Sequence, residues 1–469
     1  MVSLPSLPTH GELEQQPTSQ AHESVDHQSQ TAPEPAATPA ESKSLSRSKS
    51  IALVAAVITP FVPNEAAFHI FRALQGIGAA ANVPTAIGVL GTTFSKGKAR
   101  TYAFGFYSAS TPLGSVFGNL LSGFIASFTS WKWVFGVIAI LAACITIAGH
   151  ITIPAPKAVE TVEKIRFQDQ LDWLGAFLVT AGLACLLFAL STGNDVGWST
   201  PWIPVLIALS VGLVTAFVFW ERYLEPRYTN KPLIKISIFK TRKFSVSMAV
   251  MATLFASFNG YLVYATIFYQ DYQALSALQT TLRFIPTGVT GVVMAIAISP
   301  LLVRIPTFIV LLVGAVCTSL SSLLFAVPIP VGTSYFSYGL VAMVLATFGA
   351  DTVTPSLYLI VSHSLSDDYQ AIGGALLNVA MQLGRVIGLA LATATQTAVM
   401  AQARGLPIEH AGHIKPGDHA SLLSIRAASW LNFAFGASSF FIVLAFFTGS
   451  GIIGQEDTRT IEPSQSERN

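Results

Sequence analysis

The chain has 469 residues, 52% of them hydrophobic and only 11% charged, with a formal net charge of +2 and a mean hydropathy of +0.58. A soluble domain carries about 25% charged residues, so this composition cannot coat a water-facing globule, and so small a net charge gives no indication of nucleic acid as a partner. The apolar residues gather in runs long enough to cross about 30 Å of hydrocarbon as helices, and they lack the strict alternation of barrel strands.

Residues 1–50 are rich in Ser, Pro, Gln, Glu and His and nearly free of aromatics. Such a stretch cannot bury enough surface to offset its ordering entropy, and a disordered cytoplasmic tail is expected there. No hydrophobic segment early in it reads as a cleavable signal peptide. Twelve apolar spans follow, at 51–62, 66–93, 101–127, 131–153, 172–192, 202–220, 244–269, 282–303, 307–329, 335–362, 371–400 and 427–454. The first is short, closed by Pro60 and Pro63. The expected organisation is an N-terminal helical half at 51–153, an inserted helix pair with a basic cytoplasmic loop at 154–243, a C-terminal half at 244–454, and a cytoplasmic tail at 455–469. Cys144, Cys185 and Cys317 all lie in apolar runs, so no disulfide framework is indicated.

The basic residues test the count. With both ends cytoplasmic, 19 of the 26 lysines and arginines fall on the cytoplasmic side and 5 on the outer side, leaving Arg72 and Arg385 inside spans. Cytoplasmic enrichment of that kind sets orientation, and a miscount by one span would scramble it. The run Arg222, Arg227, Lys231, Lys235, Lys240, Arg242, Lys243 dominates the bias; binding to anionic lipid is its secondary reading.

The chain also repeats itself. Gly78, Ala79 and Pro84 match Gly349, Ala350 and Pro355 at a constant offset of 271, and after one gap Gly114 and Gly118 match Gly384 and Gly388. This pairs spans one to four with spans nine to twelve, a parallel repeat of the kind from which transporters build two halves around a central site. By the same arithmetic a complete ancestor has two further spans at its front.

Several stretches carry a family resemblance. Phe-Arg-Ala-Leu-Gln-Gly-Ile-Gly-Ala-Ala at 71–80 resembles the fourth-helix motif of the major facilitator superfamily. Residues 112–123, Pro-Leu-Gly-Ser-Val-Phe-Gly-Asn-Leu-Leu-Ser-Gly, resemble its fifth-helix antiporter motif, followed by Ser-Trp-Lys-Trp-Val-Phe at 130–135. Lys231-Pro232-Leu233 and the later Ile-Phe-Lys-Thr-Arg-Lys-Phe resemble the joint before the ninth helix in the fourteen-span drug:proton antiporter branch. The first two helices, and the loop motif between the second and third, have no counterpart; Asn119 and Ser122 depart from the antiporter pattern. The resemblance implies an all-α, polytopic fold of two pseudo-symmetric bundles with about 12 membrane helices, N-terminally truncated. It also implies proton-coupled efflux.

Three formal charges, Arg72, Asp351 and Arg385, lie well inside the expected spans. A charge at the bilayer centre costs about 2.5–3.5 kcal/mol on insertion scales, so such groups pair or line a wet pathway. Asp351 and Arg385 are candidates for an interhelical ion pair, with Asp351 exchanging a proton or serving only as structure. The resemblance gives Arg72 a proton-coupling role; a snorkelling arginine is the alternative. Asn378, Gln382 and Arg385 fall at i, i+4 and i+7 on one helix face, and Gln396 extends the stripe. With Gln75 and Asn82 they are candidates to line a substrate cavity, or to hydrogen-bond between helices. Gly114 and Gly118 form a Gly-x-x-x-Gly that permits close packing, and with Gly123 they are candidates for helix packing or gating.

Other signals carry less. Gly76-x-Gly78-x-x-Ala81 imitates a dinucleotide fingerprint but lies within an apolar span with no preceding strand. His410, His413 and His419 read as solvated histidines rather than metal ligands. No nucleophile–base–acid set is present, so no enzyme, cofactor or metal is expected. The expected function is efflux of a small organic compound or drug in exchange for protons, by a monomer in the plasma membrane rather than the vacuole, with the bilayer, the substrate and protons as its only partners. Uptake of a small polar solute such as ammonium or borate, or a truncated protein that transports nothing, are the alternatives.

Overall fold

The computed structural model describes residues 54–62, 64–93, 114, 117–118, 121–125, 127–130, 132–152, 172–227, 232–330, 332–365 and 367–448, without the side chains of 81–93, 150, 152, 194–195, 299, 303, 367–368 and 370–371. The tails expected at 1–50 and 455–469, and most of the span expected at 101–127, lie outside them. Of the first expected span, the described residues 54–61 form a short helical stretch that ends in the 3-10 turn Thr59–Phe61. Among the described residues ten long helices follow: α1 (Glu65–Thr93), α2 (Lys132–Thr152), α3 (Trp173–Val196), α4 (Trp202–Leu224), α5 (Arg242–Ile267), α6 (Ala277–Arg304), α7 (Thr307–Ala326), α8 (Tyr335–Ser364), α9 (Asp367–Arg404) and α10 (His419–Phe446). No strand occurs among the described residues, and nine of their helices are long and apolar enough to cross a membrane.

Where helices begin is decided by caps. The Asp172 carboxylate accepts from Gly175 N at 2.9 Å and starts α3. Ser276 and Gln279 form a reciprocal capping box that starts α6 five residues before the expected 282. Asp418 accepts from Ala420 N and Ser421 N and starts α10 eight residues before the expected 427. Arg426, expected just outside its span, and Arg283, expected in the first turn of its own, therefore both lie well inside helices, each with a polar partner. Arg283 donates to Gln273 Oε1 at 2.7 Å, and Arg426 to the Ile329 carbonyl at 2.9 Å.

Helices α5 to α10 pack into one bundle, α7 against α8 and α10, α5 against α9 and α10, and α6 against α8. Lipid offers no hydrophobic drive for helices to associate, so close approach over small residues has to hold them. Each principal seam has such a seat. A Cβ on Gly349 would stand 2.5 Å from the Gly314 carbonyl oxygen, one on Gly384 2.1 Å from the Ala252 carbonyl oxygen, and one on Gly436 2.9 Å from Ser319 Cα. Many of the buried serines and threonines on these helices satisfy their hydroxyls on the preceding turn, as Ser319 does to Ala315 O at 2.8 Å and Ser429 to Ile425 O at 2.9 Å, while the Thr307 and Thr347 hydroxyls have no partner. Around these seams lie two apolar clusters. Phe244, Met251, Leu254, Leu311 and Leu357 fill the end nearer the basic loop, and Tyr261, Tyr264, Tyr269, Phe325 and Met343 the other.

Helices α3 and α4 pair with each other, and α3 also touches α9. Helices α1 and α2 both pack on the Thr59–Phe61 turn, with Phe68 edge-on to Phe135 at 5.6 Å. The repeat has a structural counterpart: adding the offset of 271 to Glu65–Thr93 gives 336–364, which coincides with α8 but for its first residue.

Candidate functional site

The polar groups on α8 and α9 are the strongest candidates for chemistry inside the bilayer. Asp351 lies mid-way along α8, four residues before Pro355, in a helix whose close packing against α7 is set by Gly349. Its Oδ2 is buried and has no hydrogen-bond partner. On α9 the Gly384 and Gly388 backbone rides directly on Ala252 and Ala256 of α5, which holds the intervening Arg385 at the α5 surface. The Arg385 guanidinium lies 4.9 Å from the centre of the Phe255 ring, reaches Gln382 Oε1 at 3.5 Å, and leaves its buried Nε unpartnered. Gln382 is exposed and Asn378 half-buried on the same helix.

Asp351 and Arg385 do not form the ion pair expected from the sequence. The single salt bridge among the described residues joins Arg404 to Asp418. Arg385 instead turns to Gln382 on its own helix and to the face of Phe255, and its Nε stays without a partner. Gln396, the far end of the polar stripe, is buried and accepts from the Tyr264 hydroxyl at 3.5 Å, an interhelical role.

In the first half, Arg72 donates to Gln75 Oε1 at 2.6 Å and sits 5.6 Å from the Phe135 ring centre, so the structure brings these two candidates together. Arg72 is exposed and Gln75 half-buried. The Asn82 side chain lies outside the described residues. Gly114 and Gly118 have nothing within 4 Å of a built Cβ, so among the described residues their motif makes no close helix contact. Gly123 does: its Cβ would stand 2.2 Å from Thr281 Oγ1 on α6. The antiporter-like segment therefore touches the C-terminal bundle there.

Two arrangements escaped the sequence reading. Asp172 and Glu221, counted with neither the inner charges nor the candidates, are both buried, Glu221 completely. Trp220 Nε1–H donates to both Asp172 oxygens at 3.0 Å, and Leu233 N–H donates to Glu221 Oε1 at 3.1 Å. The signal was legible: in an antiparallel pair, the start of α3 and the end of α4 must meet. The second is an aromatic box in which the Arg283 guanidinium lies 4.7 Å from the Tyr269 ring centre and 5.5 Å from that of Tyr335, beside the π-helical turn Phe268–Tyr272. At the last residue of α9, Arg404 also donates to the Ala411 and His413 carbonyls, folding the 405–418 loop onto the bundle. The Arg404 guanidinium beside Asp418 holds that carboxyl well below the usual carboxylate range. The described residues contain no group of three or more His, Cys, Asp or Glu able to hold a metal.

Long apolar helices joined over glycine seats, with isolated charges buried among them and a sequence repeat reflected in helix boundaries, define a polytopic helical membrane protein of the paired-bundle class. The sequence profile of the Major Facilitator Superfamily matches residues 49–389, and the chain belongs to that superfamily, a family of transporters and not of enzymes. It is 26% identical over 337 residues to a low affinity ammonium transporter of Saccharomyces cerevisiae, covering 72% of this chain and 64% of that one. It is 25% identical over 326 residues to an efflux pump of Aspergillus terreus, covering 70% and 62%. The chain thus spans less than two thirds of the length of either relative. Its fold resembles the crystal structure of a peptide transporter with a TM-score of 0.56 at 15% identity, over 88% of this chain and 80% of the other.

Proposed function

We propose that this chain acts in secondary transport, moving a small organic compound out of the cell in exchange for protons, with Asp351 taking up and releasing the proton. The observation that carries the reading is Asp351, whose buried Oδ2 in a membrane-spanning helix has no partner, with no cation bonded to the carboxyl among the described residues. A carboxyl without a counter-charge is expensive in hydrocarbon when ionised. Proton gain and loss therefore change the relative energy of any two conformations that differ in its access to water, which is the requirement for coupling. Asn378 and Gln382, with Gln75 and Asn82 from the other half, supply hydrogen-bonding groups to the substrate path; Arg385 and Arg72 supply positive charge to it. Gly123 lets the first half slide against α6 as the bundles rock. The similarity to an efflux pump supports the outward direction.

A second reading, uptake of ammonium, is favoured by the similarity to the ammonium transporter. Flux assays in proteoliposomes separate the two. With an acid lumen, antiport predicts that ethidium accumulates above the level in protein-free vesicles and that a protonophore abolishes the excess. Ammonium uptake predicts protein-dependent methylammonium entry without a pH gradient, and no ethidium flux. An absence of both would contradict transport of either kind.

A further inference from the structure

The first turn of α5 and the last turn of α10 flank an open cavity of about 380 Å³ lined by Arg242, Lys243, Val246, Ala445, Phe446 and Thr448. Its chemistry is divided. Arg242 and Lys243 are exposed and meet no carboxylate among the described residues; the only salt bridge there is elsewhere. The Arg242 guanidinium lies over the Phe446 ring at 4.7 Å from its centre, which fixes the charge at the cavity mouth without neutralising it. Thr241 precedes α5 without a side-chain cap, so the first backbone N–H groups of the helix are left for another acceptor. The remaining wall is apolar, and from Ala445 it continues along one exposed face of α10 through Leu444 and Phe441, which are 42% and 63% exposed.

A pair of unneutralised cations, a hydroxyl and free N–H groups at one end of a lipid-facing apolar strip match one kind of molecule: an anionic head on an acyl chain. We propose that this cavity binds the headgroup of an anionic phospholipid, with the phosphate between Arg242, Lys243 and Thr448 and an acyl chain along Ala445 and Phe441. The site lies at the membrane face where the basic loop places its cations, the level at which headgroup phosphates sit. The occupant would brace α5 against α10, the helices that begin and end the C-terminal bundle.

The test is native mass spectrometry of the full chain in mild detergent, incubated with equal amounts of phosphatidylserine and phosphatidylcholine. Wild type is expected to retain phosphatidylserine preferentially. R242Q/K243Q should weaken that retention roughly 30-fold and K243Q alone about 5-fold, the factors expected for two surface cations and for one. R222Q/R227Q, which alters exposed cations away from the cavity, should retain lipid as wild type does. Equal retention by R242Q/K243Q and wild type would overturn the proposal. So would displacement of the lipid by inorganic phosphate, which would mark a site for the free anion. Retention that appears only in E456Q/D457N would also overturn it, since the chain's own acidic tail would then be the occupant.

Discussion

Gly114 and Gly118 stand in the same motif, and at equivalent repeat positions, as Gly384 and Gly388, yet the two pairs behave differently. The second pair lies against the backbone of Ala252 and Ala256, while the first faces open space among the described residues. The contrast extends to the helices around them. Only 6% of Lys132–Gly149 is buried inside the protein, against 56% of Tyr335–Ser364. A Gly-x-x-x-Gly therefore permits contact without causing it; what lies opposite decides. The C-terminal bundle is held by glycine seats on nearly every seam, and the first half meets it closely at Gly123.

The comparison can be broken by adding one methyl group at a time. Gly384→Ala forces a Cβ into backbone that cannot yield, and should destabilise the protein by about 1–3 kcal/mol, the usual range for overpacking. Gly118→Ala should be neutral or stabilising by up to about 1 kcal/mol, since alanine is the better helix former and meets nothing. Thermal melting in detergent compares them, and equal losses would dissolve the distinction. Removing the Asp172 carboxylate as Asp172→Ala strands the Trp220 and Gly175 donors and should cost about 1–3 kcal/mol, the penalty for buried groups left unpaired. The α3–α4 pair should melt earlier while α5 to α10 hold, which protease sensitivity between 172 and 227 would report. A smaller effect is expected for Gly123→Ala. Its Cβ meets only a threonine side chain, so the double variant Gly123→Ala/Thr281→Ala should recover part of the loss, and a purely additive pair would argue against that contact.

The smallest effect concerns the 405–418 loop. Asp418 has a folded-state pKa depressed by Arg404 and by Ser421, so it binds its proton more readily when unfolded. Its contribution is therefore present above the unfolded aspartate value of about 3.9 and lost as pH falls below it. Melting temperature should be insensitive to this group between pH 5 and 7 by rough expectation, then fall in acid, and Asp418→Asn should flatten that acid limb. An unchanged acid limb would remove the clamp from the account.

Much of the fold was legible because hydrocarbon thickness sets helix length and charge is excluded from helix centres. The spans at 172–192 and 307–329 needed little more than that, and Trp173–Val196 and Thr307–Ala326 bear them out. Where an arginine sat within a helix turn of the interface, the same rule misled. The expected bounds of 282 and 427 put Arg283 at the first turn of its span and Arg426 just outside its own, whereas caps start both helices earlier and local partners hold both arginines inside them. The candidate site was legible as a list of polar residues on helix faces. Its pairing was not, because i, i+4 spacing fixes a face but not what the neighbouring helix presents to it. Asp351 and Arg385 looked complementary from their depth alone, and Phe255 and Gln382 take the arginine instead. Glu221 was missed because it lies at the end of an apolar run, where an acid ordinarily faces water.

Proton coupling through Asp351 is tested most directly by purified wild type and Asp351→Asn in proteoliposomes, assayed for both gradient-driven ethidium accumulation and ethidium counterflow without a gradient. A carboxyl that carries the proton predicts that the variant loses accumulation and its dependence on pH while keeping counterflow, because the substrate path survives without the coupling group. Accumulation at wild-type level with the same pH dependence in Asp351→Asn would contradict the account.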